Sequence, residues 1–242
     1  MALRRRTRWI LIGLATFVVV AGGAYLAFAL LAGGSSPPPV SLGASTGESG
    51  STTSTSAGTG AASASELPGT WTVTSNGSLV GYRVREQLGF LPSPTDAVGR
   101  TSAVTGTLVI DGTTITSVKV TADLTQLHSD RSMRDQRMHT IGLETDSFPT
   151  ATFELTSPIS FSSVPASGTV VTATAKGNLT LHGVTKAVTL QVQAKSDASG
   201  ITVVGSLPIV MADYGITPPN IGGFVSVQDH GTMEFKLVFT KS

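Results

Sequence analysis

No cysteine occurs anywhere in the 242 residues. Disulfides, thiolate nucleophiles and cysteine-ligated zinc are excluded outright. So is a lipoprotein anchor, because "LLAGGS" at residues 30–35 offers no thiol for a lipid. Charge is scarce too: 13% of residues are charged and the net charge is +1. Four arginines (Arg4, Arg5, Arg6, Arg8) precede the first apolar run, and from Leu67 onward 12 basic residues face 13 acidic ones. A near-neutral domain lacks the basic face a phosphate backbone requires, so no nucleic-acid partner is expected. The four histidines, His128, His139, His182 and His230, never fall two or four apart, so no metal-site spacing appears. P-loop and dinucleotide fingerprints are absent. Asp130 and Asp135 stand beside Arg131 and Arg134, where ion pairing accounts for them without acid–base work. These absences favour a binding protein without catalytic residues or cofactor over an enzyme.

What is present begins with an address. Trp9 to Ala32 is an uncharged, mostly apolar run of 24 residues, and about 20 helical residues cross a hydrocarbon core. With the arginines of residues 1–8 ahead of it, the positive-inside rule keeps the N-terminus cytoplasmic and sends the rest outside. The expectation is a single-pass cell-membrane protein with a transmembrane helix over 9–32. The competing reading is a cleaved signal peptide, since Ala27-Phe28-Ala29 fits a small-x-small cleavage site and would release a secreted domain. Residues 33–66 hold 15 Ser and Thr and no aromatic residue. Such a segment cannot bury enough apolar area to offset its ordering entropy, so it reads as a disordered linker. A flexible coil of that length has a root-mean-square reach of about 30 Å.

Residues 67–242 form one all-β domain by pattern. Apolar and polar residues alternate with period two, the mark of a strand with one dry and one wet face. "VTGTLVIDG" places Val104, Gly106, Leu108 and Ile110 on one face and ends at an Asp-Gly turn. "SVKVTADLTQL" places Val118, Val120, Ala122 and Leu124 together. "GNLTLHGVTKAVTLQVQ" sets Leu179 and Leu181 before a break at "HGVTK", then Val188, Leu190 and Val192. Met233, Phe235, Leu237 and Phe239 alternate near the C-terminus. Further candidates at Trp71–Thr74, Leu79–Arg85, Thr150–Leu155 and Ile201–Val210 bring the total to about eight strands.

One stretch opposes this pattern. His128 to Gly142 has no alternation and is rich in helix formers, with Ser129 or Asp130 as cap and Gly142 as terminator. A nearly strand-only domain is either a sandwich or a closed barrel. Several inward positions are small (Gly106, Ala122, Ala173, Ala175, Gly177), so the dry faces fill space less densely than a solid core demands. A barrel of about eight strands is also the size that holds one small ligand. The alternative is that larger residues opposite these small ones close the gap.

At this point the motifs become specific. "GTWTV" (Gly69–Val73), "GTLVIDG" (Gly106–Gly112), "RDQRM" from Arg134, and "FPTATFE" (Phe148–Glu154) are followed by "GNLTLHGVTKAVTL" (Gly177–Leu190) and "ADYGI" (Ala212–Ile216). In that order, across essentially all of Leu67–Ser242, they resemble the YceI family of exported, lipid-binding proteins. The resemblance implies an extended, antiparallel, eight-stranded, lipocalin-like barrel with one short helix. It further implies an apolar pore that takes polyisoprenoid chains such as isoprenoid quinones or polyprenyl phosphates. The chain departs from the family where a histidine is common and Glu86 stands, where an arginine is common and Met211 stands, and in an extra loop, "GFLPSPTDAVGR" (Gly89–Arg100). The first two departures remove basic groups, which turns the expectation from a phosphate head towards a neutral quinone.

On this reading the ligand tail lies against Val104, Leu108, Ile110, Val120, Leu124, Met138, Phe153, Leu179, Leu181, Val188, Leu190, Val192, Tyr214, Phe235 and Leu237. The head group meets Arg131, Arg134, Arg137 and His139 at the mouth, and His182 and Lys186 sit near the rim. Arg134 beside Asp135 has a second reading, as a brace holding the helix against the barrel. Phe148, Phe153 and Tyr214 read first as core aromatics, with pore lining as the second reading. A rival for the whole domain is an interaction or stress-response module with a filled core, binding a partner through "GITPPNIGGFVSV" (Gly215–Val227).

Overall fold

The computed structural model describes residues 36–42 and 67–242. The expected membrane-spanning helix and most of the linker lie outside the described residues. Among the described residues no helix is long and apolar enough to cross a membrane. The strands, in chain order, are β1 (Gly69–Leu88), β2 (Thr95–Thr101), β3 (Val104–Asp111), β4 (Thr114–Asp123), β5 (His128–Ser129), β6 (Thr150–Leu155), β7 (Ile159–Ser160), β8 (Val170–Leu181), β9 (Val184–Asp197), β10 (Gly200–Val210), β11 (Asn220–Ile221) and β12 (Val225–Lys241). One α-helix, α1 (Ser132–Met138), lies between β5 and β6.

Antiparallel pairing runs β12-β10-β9-β8-β6-β4-β3-β1, and β1 pairs back onto β12. The sheet is therefore a closed eight-stranded barrel, which removes the edges that would template aggregation. Closure depends on β1 being long. It pairs with β3 through Gly69–Thr72 and with β2 through Val80–Glu86, while its other edge follows β12 from Trp71 to Leu88. The two short strands expected at Trp71–Thr74 and Leu79–Arg85 are thus one strand, with an irregularity in its pairing to β12 between Thr74 and Leu79. The expected loop Gly89–Arg100 is likewise half strand, since β2 takes up Thr95–Thr101.

The "HGVTK" break is a two-residue hairpin. Leu181 pairs with Val184, and both His182 and Gly183 have positive φ, 52° and 73°. Two left-handed residues in a row define a type I′ turn, whose twist matches that of the flanking strands. Gly183 carries no strain there, and a Cβ on it would stand 2.8 Å from the Phe148 ring. His182 tolerates its φ because the ring is held on both sides: Nδ1 lies 3.1 Å from the Tyr214 carbonyl oxygen and Nε2 3.3 Å from the Glu144 carboxylate.

The helix is shorter than its sequence window. Its N-cap is Arg131, with no side-chain cap bond, and neither Ser129 nor Asp130 fills that role. Asp135 instead reaches back to accept hydrogen bonds from the Ser129 backbone N–H (3.0 Å) and hydroxyl (2.6 Å). That contact fixes the chain's entry into the helix.

Candidate functional site

The barrel interior is not solid. A cavity of about 360 Å³ occupies the end where β1 finishes and β12 begins. A second, of about 120 Å³, lies deeper. Val80, Ala151 and Met233 line both, so three side chains mark the boundary between them.

The lower chamber has an entirely hydrocarbon character. Leu108, Val120, Phe153, Leu179, Leu190, Val192, Phe235 and Leu237 line it, each from an inward position of its strand. Leu124, Met138 and Leu181 line the upper chamber. The remaining residues expected on the tail wall line neither. Val104 is buried in the main core cluster, and Ile110 and Val188 pack half-buried against that cluster. Tyr214 forms a small second cluster with Leu179, Ile209 and Ile216, where the chain folds in after β10.

Charged side chains line only the upper chamber. Arg131, Arg134 and Arg137 line it, but His139 does not. The His139 Nδ1 instead meets the Asp146 carboxylate at 3.0 Å and the Thr145 hydroxyl at 3.2 Å. Arg134 leaves α1 and crosses to β1, where its Nη2 donates to the buried Glu86 carboxylate. Its Nη1 donates to Asp130 at 2.5 Å and to the Ser129 hydroxyl at 3.0 Å. Burial works to lower the Arg134 pKa, but the bonds to Asp130 and Glu86 outweigh it and hold the pKa above the usual arginine value. The guanidinium is permanently charged and already matched by two carboxylates. It is both a brace between helix and barrel and a lining group.

Sequence reasoning did not single out Tyr82. It shares the inward face of β1 with Val80, Val84 and Glu86, and its ring lies across Gly99 of β2, where a Cβ would stand 2.4 Å from Cε1. Its hydroxyl is buried and has no hydrogen-bond partner among the described residues. Burial pushes its pKa well above the ordinary tyrosine value. The Arg134 Nε is likewise buried without a partner among the described residues, so the upper chamber offers two unspent donors, the Tyr82 hydroxyl and that Nε, beside the ion pair. A buried hydroxyl left unpaired costs about 1–3 kcal/mol, which a ligand oxygen would recover. Alternation along "VGYRVRE" was the signal that could have found it.

Residues 71–239 match the family model of the YceI-like domain. The chain belongs to the YceI-like family. Among solved structures it is similar to a polyisoprenoid binding domain from Saccharophagus degradans implicated in plant cell wall breakdown. That likeness has 17% identity over 71% of this chain and 98% of that one, with a TM-score of 0.55. It is similar also to BcnA of Burkholderia cenocepacia, with 22% identity over 69% of this chain and 99% of that one, and a TM-score of 0.53. At these identities the likeness is one of fold. No curated protein matches the chain. In this YceI-like barrel, the lumen and its polar mouth are the candidate site.

Proposed function

We propose that this YceI-like protein is a membrane-anchored, extracytoplasmic carrier or reservoir for a polyisoprenoid or similar long-chain lipid. The tail occupies the two chambers, and a neutral, oxygen-bearing head, as in a quinone, accepts a hydrogen bond from Tyr82. The observation that carries this reading is the two-part apolar lumen at the heart of a closed barrel.

Binding of a tail with no polar group is driven by removing apolar area from water. At about 0.8 kcal/mol per buried CH₂-sized group, one five-carbon unit contributes roughly 4 kcal/mol. Three units give ~12 kcal/mol against association costs of ~4–15 kcal/mol, so several units must enter for useful affinity. Chamber length then selects the tail, and the mouth selects the head. The prior pairing of both terminal nitrogens of Arg134 with Asp130 and Glu86 supports a neutral head, since a phosphate would find only Nε open and would have to displace a carboxylate to gain a second bond from the guanidinium. The same pairing leaves Glu86 engaged and supports binding over catalysis.

The test is organic extraction of the purified protein followed by mass spectrometry, with added quinone offered to the delipidated protein. Recovery of a long-chain isoprenoid lipid is the expected result. No lipid in any preparation, together with no uptake of quinone, would sink the proposal.

A further inference from the structure

Beyond binding a lipid, the structure indicates how the barrel is presented to the bilayer. Arg83, Arg100 and Glu234 occupy outward positions of β1, β2 and β12, yet the Glu234 side chain is only 4% exposed. Gly81 pairs with both Arg100 and Glu234. Its missing side chain lets Arg100 pass over it, for a Cβ there would stand 2.8 Å from the Arg100 Cγ. Arg100 reaches Glu234 at 2.6 Å, and Arg83 approaches the same oxygen at 3.5 Å.

Both guanidiniums also hold residues 36–42, "SPPPVSL". Arg83 donates to the Pro37 carbonyl and Arg100 to the Pro38 carbonyl, each at 2.6 Å. The Ser36 hydroxyl donates to the Asp96 carbonyl at 2.5 Å. A proline run is suited to this role. Its carbonyls have no partners of their own, and its backbone is stiff before it docks.

The register gives the strap a direction. Asp96 pairs with Arg85 of β1, and Arg100 pairs with Gly81. Ser36 therefore lies towards the open end of the barrel, and Pro38 lies further down the wall. Only residues 33–35 separate Ser36 from the apolar run ending at Ala32. Four residue steps reach at most about 14 Å.

That same end carries the apolar surface. Of the six large hydrophobic residues exposed among the described residues, three (Phe90, Met133, Ile141) line the upper chamber, Phe224 meets Gly89 at the same end, Val210 pairs with His230 where β10 finishes at that end, and only Val170 lies at the far end. The hairpin tips bearing Phe90 and Phe224 are tied by the Gly89 N–H donating to the Phe224 carbonyl at 2.8 Å. We propose that this rim is a membrane-docking surface. The strap holds the barrel mouth-down on the bilayer, so that a lipid passes from the leaflet into the lumen without crossing water. The inference rests on the reading of residues 9–32 as the membrane anchor.

The absence of native cysteine makes the test direct. The full chain carrying Phe224→Cys or Val170→Cys is labelled with an environment-sensitive fluorophore. It is then reconstituted into phosphatidylcholine vesicles containing brominated phosphatidylcholine, and vesicle flotation checks anchoring. The expected result is bromolipid quenching at position 224 and none at 170. Replacing residues 36–42 with a Gly/Ser stretch of equal length, which leaves every barrel residue intact, should abolish the quenching at 224. A chain that fails to float, equal quenching at both ends, shielding of position 224 without bromolipid quenching, or quenching that survives strap replacement would each overturn the inference. Lipid extraction on the same samples separates the two readings. Quenching without recovered lipid removes the carrier and keeps the docking; recovered lipid without quenching does the reverse.

Discussion

The Phe153 ring lies across Gly177 on the neighbouring strand, so close that a Cβ on the glycine would stand 2.4 Å from Cζ. Phe235 covers Gly205 in the same way, at 2.6 Å. Small inward residues are thus partly filled by aromatic rings from adjacent strands, yet chambers of about 360 and 120 Å³ persist. The two readings of the small positions, empty space and compensating bulk, each hold for part of the lumen.

Gly177→Ala is expected to destabilise the domain, because the ring must leave its rotamer or the strands must part. Overpacking of this kind costs about 1–3 kcal/mol. For a domain of this size that lowers the melting temperature by roughly 2–12 °C, readable by thermal circular dichroism. Unchanged melting would mean that the ring yields freely and that the lower chamber is soft.

Ala151 is buried, and it lines both chambers. Ala151→Leu should narrow the passage between them and confine a tail to the upper chamber. The extracted lipids are then expected to shift towards shorter chains, as read by mass spectrometry. A chain-length distribution identical to wild type would place the tail elsewhere.

Glu86 supplies half of the charge that neutralises Arg134. Glu86→Gln leaves the guanidinium with Asp130 as its remaining carboxylate, at a stability cost of about 3 kcal/mol, the low end for breaking a buried pair. With one negative charge fewer beside the guanidinium and its Nη2 no longer held by a carboxylate, the cluster should accept an anion more readily, so the variant is expected to retain more polyprenyl phosphate than wild type in competition with quinone. If head-group preference stays unchanged while stability falls, Arg134 is a brace only.

Much of the barrel was legible because β3, β4, β8, β9 and β12 alternate cleanly, and their inward residues reach the core or the lower chamber. The continuity of β1 was hidden because "SNGS" (Ser75–Ser78) has the composition of a turn. Its place in the strand depends on a distant partner, the Val238 N–H donating to the Ser78 hydroxyl at 2.8 Å. β2 was hidden because "TDAVGR" has little apolar content, and its Gly99 makes sense only beneath the Tyr82 ring. The docked strap was hidden for the same reason. Composition marks residues 33–66 as linker, and only tertiary contact shows Pro37 and Pro38 against Arg83 and Arg100. The start of the helix, too, follows a tertiary detail, the reach of Asp135 back to Ser129, which composition does not show.

Tyr82 gives the lumen a pH signature. Its pKa in the folded barrel is raised above the ordinary tyrosine value of about 10, chiefly by burial. Above pH 10 the unfolded chain gives up this proton while the folded barrel keeps it, so the unfolded state gains and stability falls as pH rises. Below pH 10 the contribution is complete and constant. Tyr82→Phe should therefore flatten the alkaline arm of a stability-against-pH curve and leave the neutral region as stable as wild type or more so, since a buried hydroxyl without a partner has been removed. The same variant should bind quinone about 2–10-fold more weakly, the value of one hydrogen bond at ~0.5–1.5 kcal/mol. Denaturant titrations from pH 7 to 11 and quinone titration of the delipidated protein read both effects. An unchanged quinone affinity would place the head group away from the Tyr82 hydroxyl, whatever the alkaline arm does.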